Sequence, residues 1–569
     1  MYYTYIIYSL LFLVSFAIAE QGLLNENVYV KQFAFGIVFI VMLAISLIQS
    51  FKQNKTTVLH ITWGDILAVA LLIVYSFFYR GTYNNLDFTL PFIYYLFYVF
   101  IRVLNMGVAN HIHIRVLTSI VPVVILLHIL ICGLQLVHVI PSFHSYFSVG
   151  STFGNPDVLG AYLSILLPFC YTRPKQRIFK YTVLLSGVIL LLILQARTAL
   201  VATIITGCLY LLLSGKITGK QLVKWLLFPF IASVALLIWW HPTSVSGRLF
   251  IWFTASKMMV EKPMGWGLYA FEKHYPEFQS NYVATHRITD LFNPDLVHSP
   301  YNEFLNAGVT LGFAGLLLLI LFALFMIIAA YRARTPFLYP ICVFLIISLS
   351  YHPSKIIPLV IILILFIAII LNSNRIKPIC TINIRHKAIV LIPVMAIAVL
   401  CVGNSWLSYN RWQAAVQNTQ NEKHWNEANI QFEKIYPMMK GNGRFLITWA
   451  DLQYKMGNTS GSLSLLKEAE HFFCDDIFLK NMAALYEETG QITEAKQALD
   501  KAVNIVPGAF NIAYERILFL QRTGEHQEAY REAIKLYNKP VKSSYYVDPF
   551  IIKSKLKTII QSYQEEQIK

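Results

Sequence analysis

Residues 303–331 read EFLNAGVTLGFAGLLLLILFALFMIIAAY. One acid opens the run, and no other charge interrupts it before Arg332. As a helix rising about 1.5 Å per residue, it is long enough to cross a hydrocarbon core of about 30 Å, where every backbone polar group must find its partner inside the segment. The run therefore reads as a membrane-spanning helix, and the composition agrees. Of 569 residues, 56% are hydrophobic and 13% charged, against roughly 25% charged in soluble domains. Similar runs at 3–19, 33–50, 64–79, 90–104, 115–140, 158–171, 178–196, 198–214, 222–240, 337–351, 355–371 and 387–406 bring the expected number of spans to about thirteen. The expected fold is all-α, a polytopic membrane helical bundle.

The first run ends in Ala17-Ile18-Ala19-Glu20, which has the small residues of a signal-peptide cleavage site. Met1–Tyr8 contains no Lys or Arg for a positive n-region, so a retained first helix is the preferred reading. Orientation follows from basic residues in the short loops, because Lys and Arg resist translocation. With the N-terminus inside, inner loops hold Lys52 and Lys55, Arg102 and Arg115, Arg173, Lys175, Arg177 and Lys180, Lys216, Lys220 and Lys224, Arg332 and Arg334, and Arg375, Lys377, Arg385 and Lys387. The alternate loops carry Lys31 in 20–32, none in 141–157 and Lys355 in 352–355. The net charge of +16 is thus mostly a topology signal, and no nucleic-acid partner is expected. Cys132, Cys170, Cys208, Cys342, Cys380, Cys401 and Cys474 are scattered without CxxC spacing, so neither a disulfide framework nor a metal site is indicated.

After the last run the composition changes abruptly. Residues 1–409 form the expected membrane domain and 410–569 a soluble domain, with apolar residues at helical spacing among balanced charges. Ala428, Ser462, Ala495 and Ala529 recur at about 34 residues, the tetratricopeptide period. The clearest unit runs from Met482, Ala483 and Tyr486 through Gly490 to Ala495, Leu499, Ala502 and Pro507; Gly457 and Gly524 mark neighbouring turns. An unrelated helical bundle is the alternative. A repeat surface would suit a protein partner.

The expected outer face carries three features. Ser151-Thr152-Phe153-Gly154-Asn155-Pro156-Asp157 enters one span, and Gln195-Ala196-Arg197-Thr198 makes a tight turn. The connection 241–302 is longer than ordinary loops and contains Ser246-Gly247-Arg248, Trp252, Pro263-Met264-Gly265-Trp266-Gly267 and Val297-His298-Ser299-Pro300-Tyr301-Asn302-Glu303. Arg197 and Arg248 can clamp a diphosphate, since guanidinium matches phosphate oxygens bidentately. His298 can relay the proton of an attacking hydroxyl. The ordinary readings also stand: interfacial arginines snorkel to headgroups, and most interfacial histidines are structural.

Gly154-Asn155-Pro156 at a span start, an outer Arg197, Ser246-Gly247-Arg248 with Trp252 four residues on, Pro263-x-Gly265-x-Gly267, and His298-Ser299 before a Gly-rich helix resemble one superfamily. It comprises O-antigen ligases, O-antigen polymerases and bacterial O-oligosaccharyltransferases, and the resemblance covers residues 145–330. It implies a GT-C-like bundle in a bacterial inner membrane, with the N-terminus cytoplasmic and the repeats and loop 241–302 periplasmic. The implied enzyme is a metal-independent glycosyltransferase without cofactor. It takes a glycan from an undecaprenyl-diphosphate donor to an acceptor that is lipid A-core or protein. Arg197, Arg248 and His298 match the catalytic group, and Asn155, Trp252 and Asn302 join the arginines as substrate-binding residues. At His298-Ser299-Pro300-Tyr301 the chain departs from the His-Asn and Leu of many relatives, which alters the acceptor contacts beside the histidine.

A lipid-linked sugar transporter or flippase is the rival from another class. It would place ionisable residues inside spans or repeat its membrane half; the spans show essentially none at mid-depth and no repeat is visible. Polymerisation of a polysaccharide is the alternative within the transferases. The appended repeats favour a macromolecular acceptor instead.

Overall fold

A computed structural model of the chain describes residues 2–18, 27–52, 57–78, 86, 89–143, 147–172, 177–222, 242–286, 294–541 and 549–568. The expected span 222–240, apart from Leu222, lies outside them, as do Ala19, Glu20, Lys55, Arg173, Lys175, Lys224 and Asp290.

The described chain is overwhelmingly helical, and helices occupy every other expected span. Four of them, Tyr29–Lys52, Asn110–Leu136, Glu303–Arg332 and Ala388–Asn418, are long and apolar enough to cross a membrane; the remaining apolar helices are shorter. The run 158–171 shows why one run need not be one helix. Asn155 caps Pro156–Leu166 by accepting from the Asp157 and Val158 amides, and a separate turn begins at Pro168, which has no N–H to continue the ladder. Large apolar side chains such as Ile73, Leu130, Leu192 and Leu317 face outward on these helices, an arrangement that water penalises and hydrocarbon does not. Inside, Phe35, Phe39, Phe97 and Phe100 pack edge to face in the main core.

Two features depart from the expected architecture. Thr57–Ile61 and Cys380–Ile384 form an antiparallel ribbon with Leu59 opposite Ile382. Both stretches are rich in β-branched residues, and pairing them satisfies backbone groups of two short loops at once. Beside the ribbon, buried Arg102 pairs with Asp65 at 2.9 Å and also donates to the Asn372 side chain and the His60 carbonyl. The second departure bears on the expectation that the spans hold essentially no ionisable residue at mid-depth. His128 is fully buried well inside Asn110–Leu136, and its ring nitrogens meet Ser15 Oγ at 3.2 Å and Ser151 Oγ at 2.9 Å. Lys31, also buried, donates to the Ser15 and Ala17 carbonyls. Through Ser15 and Ser151, His128 ties the segment that begins at Gly150 to the turn after the first helix.

The connection 241–302 is largely helical, with helices Pro242–Glu261 and Ala270–His286. Between them Pro263–Gly267 tucks into helix Glu303–Arg332, which breaks at Gly312 with φ 69° and ψ −173°. Trp266 and Gly267 donate to the Val309 and Thr310 carbonyls, and Phe313 donates to the Pro263 carbonyl, so the loop takes up hydrogen bonds that the kink leaves unmade. Two glycines face each other there: a Cβ on Gly265 would sit 2.5 Å from Gly312 N.

Helix Ala388–Asn418 runs straight through the expected boundary at 409/410. Its Tyr409 and Trp412 share a core with Phe33 and Leu86 from the apolar half, Leu296 from the connection, and Phe432, Phe445 and Leu466 beyond. Successive helices then pack on one another in sequence to Pro549–Ile568. Ala428, Ser462, Ala495 and Ala529 are all buried where neighbouring helices meet, and Gly457, Gly490 and Gly524 all take positive φ at the turns.

Candidate functional site

Arg197 is the first residue of helix Arg197–Leu213, placed there by a sharp turn in which Gln195 takes φ 53°. The turn is held by the Ala196 amide on the Leu191 carbonyl and the Gln195 amide on that of Leu192. Arg248 comes from another helix, Pro242–Glu261. Both line one cavity of about 600 Å³, together with Asp157, Gln195, Thr198 and Tyr351. Neither arginine has an ion-pair partner among the described residues. The guanidinium of Arg248 is oriented by one hydrogen bond, Nη1 to the Ser350 carbonyl at 2.8 Å, and by the Tyr301 ring at 5.8 Å. Asp157 is the carboxylate of this cavity. Partial withdrawal from water raises its pKa above the ordinary value, opposed by Arg248 and then Arg197. The first turns of helices Pro156–Leu166 and Arg197–Leu213 also reach the cavity, adding the positive ends of two helix dipoles.

His298 does not line this cavity. It is a partly exposed residue on the segment that also carries Tyr301, and its charged neighbours are Glu272, Lys355 and Arg444. Partial burial lowers its pKa, with Lys355 and Arg444 adding to the effect and Glu272 opposing it. Asn155, Trp252 and Asn302 stand close in the chain to these groups, but their polar atoms are engaged in the fold. Asn155 caps Pro156–Leu166, Trp252 Nε1 donates to the Pro300 carbonyl at 3.0 Å, and Asn302 caps Glu303–Arg332 while donating to the Leu349 carbonyl. These bonds give all three a structural role, and none of the three lines the cavity.

The turn 350–353 was missed by sequence reasoning. It supplies the Ser350 carbonyl to Arg248, Tyr351 to the cavity, and His352, whose Nδ1 lies 3.1 Å from Ser299 Oγ. Tyr351-His352-Pro353 in a short loop between two apolar runs was the available signal. Among the described residues no cluster of His, Cys, Asp and Glu has the form of a metal site. Neither the models of known families nor the curated proteins give a match to this chain.

Proposed function

We propose that the chain is a membrane glycosyltransferase of the O-antigen ligase or O-oligosaccharyltransferase type, acting on an undecaprenyl-diphosphate-linked glycan at the outer face of a bacterial inner membrane. The observation that carries this reading is the convergence of Arg197 and Arg248, from different helices, on one cavity without an ion-pair partner among the described residues. Two guanidinium groups there would hold the diphosphate and stabilise the charge that develops as it leaves. The acceptor oxygen attacks the anomeric carbon, the carbon–oxygen bond to the diphosphate breaks, and that electron pair departs with the diphosphate. The hydroxyl proton passes to a base. Asp157 lies in the cavity and has a raised pKa, which makes it the nearer candidate, while His298 at the exposed edge would serve the incoming acceptor. The C-terminal helices, read as tetratricopeptide repeats, would present lipid A-core or protein.

The test is transfer of a lipid-linked glycan by purified full-length protein with a chelator present. Arg197→Ala is expected to abolish measurable transfer, Asp157→Asn to lower turnover about 10²-fold or more, and His298→Ala to act more on the acceptor KM than on donor binding. Undiminished transfer by Arg197→Ala would overturn the reading. A strict requirement for a divalent ion would overturn its metal-free form.

A further inference from the structure

A second cavity, of about 750 Å³, has arginines of its own. Arg197 and Ile347 line the first cavity, whereas Tyr210, Leu213, Leu338 and Tyr339 line the second. The two therefore lie at opposite ends of helices Arg197–Leu213 and Leu338–Ser348. The 17 residues of the first helix span about 25 Å, near the thickness of a hydrocarbon core.

Arg332, Arg334 and Arg375 all line this second cavity, and among the described residues it has no Asp or Glu. None of the three pairs with a carboxylate among those residues. Arg375 is steadied by donation from Nη1 to the Ala333 carbonyl at 3.4 Å. Tyr171, Tyr210 and Tyr339 pack ring to ring beside them, with centroids 5.0, 5.5 and 6.2 Å apart. Thr335 also lines the cavity; it is 7% exposed, and its Oγ1 has no hydrogen-bond partner among the described residues. A buried hydroxyl left unmatched is costly, and an anion's oxygen would accept from it.

Positive-inside bias accounts for basic residues at this end. It does not account for three arginines from two chain segments converging beside an orphan hydroxyl. Nor does it explain Arg334, which stops helix Glu303–Arg332 at φ 50°, a conformation that usually falls to glycine. We propose that this cavity is an anion site for a phosphate group, the chemistry shared by an anionic lipid headgroup and a soluble phosphate. It is independent of the glycosyl-transfer reading.

The experiment uses full-length protein in a neutral detergent, titrated with phosphatidylglycerol or with inorganic phosphate and followed by native mass spectrometry and thermal unfolding. Phosphatidylglycerol is expected to stay bound to the wild type, and Arg334→Gly combined with Arg375→Gln to weaken it at least tenfold. Arg334→Gly alone suits the backbone and should leave the ligand-free unfolding midpoint unchanged or raised, which separates binding from folding. Thr335→Val should weaken binding about threefold, and Arg385→Ala, outside the cavity, should not. Displacement of the lipid by millimolar phosphate, lost in the same variants, assigns the site to the soluble anion; persistence of the lipid assigns it to the headgroup. Equal binding by the wild type and the double variant, or no binding of either anion, would overturn the proposal.

Discussion

At Arg248 a lysine would keep the charge and lose the geometry. The guanidinium spends one Nη1 proton on the Ser350 carbonyl and still presents donors to the cavity. An ammonium must choose between those tasks. Arg248→Lys is therefore expected to lower transfer at least tenfold while shifting stability by no more than about 0.5 kcal/mol, as for ordinary surface changes; kcat and thermal unfolding of the same preparation check it. His352 supplies a pH-dependence. Burial, aided by Lys355, lowers its pKa to about 4, against about 6.5 in an unfolded chain. Between those values the unfolded chain binds more protons, so the contribution is complete above about 6.5 and is lost as the pH falls toward the folded value. His352→Gln, which can keep a bond to Ser299, should flatten the decline of the unfolding midpoint over that window. An unchanged slope would refute the assignment. Sequence singled out Arg197 and Arg248 by type and place. It could not anticipate Ser350, because a backbone carbonyl has no signature in the residue that bears it.

The helix Glu303–Arg332 and the loop Pro263–Gly267 are one device at the scale of elements. A Cβ on Gly312 would lie 2.5 Å from Met264 C and the Pro263 carbonyl oxygen, both backbone, and its φ of 69° is strained for any other residue. Gly312→Ala is expected to cost more than about 2 kcal/mol, seen as a fall of several degrees in the unfolding midpoint. Gly207→Ala is the control. It stands in helix Arg197–Leu213 with no atom within 4 Å of a new Cβ, so a gain of up to about 1 kcal/mol is expected. The sequence singled out Pro263-x-Gly265-x-Gly267 as a motif within a long connection. That this stretch completes a broken helix more than forty residues later was invisible, since a helix-period pattern records burial and not which amides lack partners.

For the molecule as a whole, the helices beyond residue 410 have a core of their own around Leu499, Phe519 and Leu520, and they share a second one with the apolar half. Phe33, Leu86 and Leu296 are buried in the same cluster as Tyr409, Trp412 and Phe432, and Gln279 Nε2 donates to the Ile505 carbonyl at 2.6 Å. Truncation after residue 408 is accordingly expected to lower the unfolding midpoint of what remains and to expose Phe33 and Leu86. A truncated protein as stable as the full chain would show the contact to be idle. What the sequence determined by itself was local: apolar runs long enough for helices to cross hydrocarbon, the change of composition near residue 410, the periodic small residues, and the cations beside breaks in those runs. These follow from solvation and helix geometry over a few turns of chain. The tertiary structure alone decided which cations share a cavity, that His298 stands apart from the arginines, that three more arginines meet at the other end of the same helices, and that two halves share a core. Those outcomes depend on packing between segments far apart in the chain, which many helix arrangements of equal hydropathy would satisfy differently.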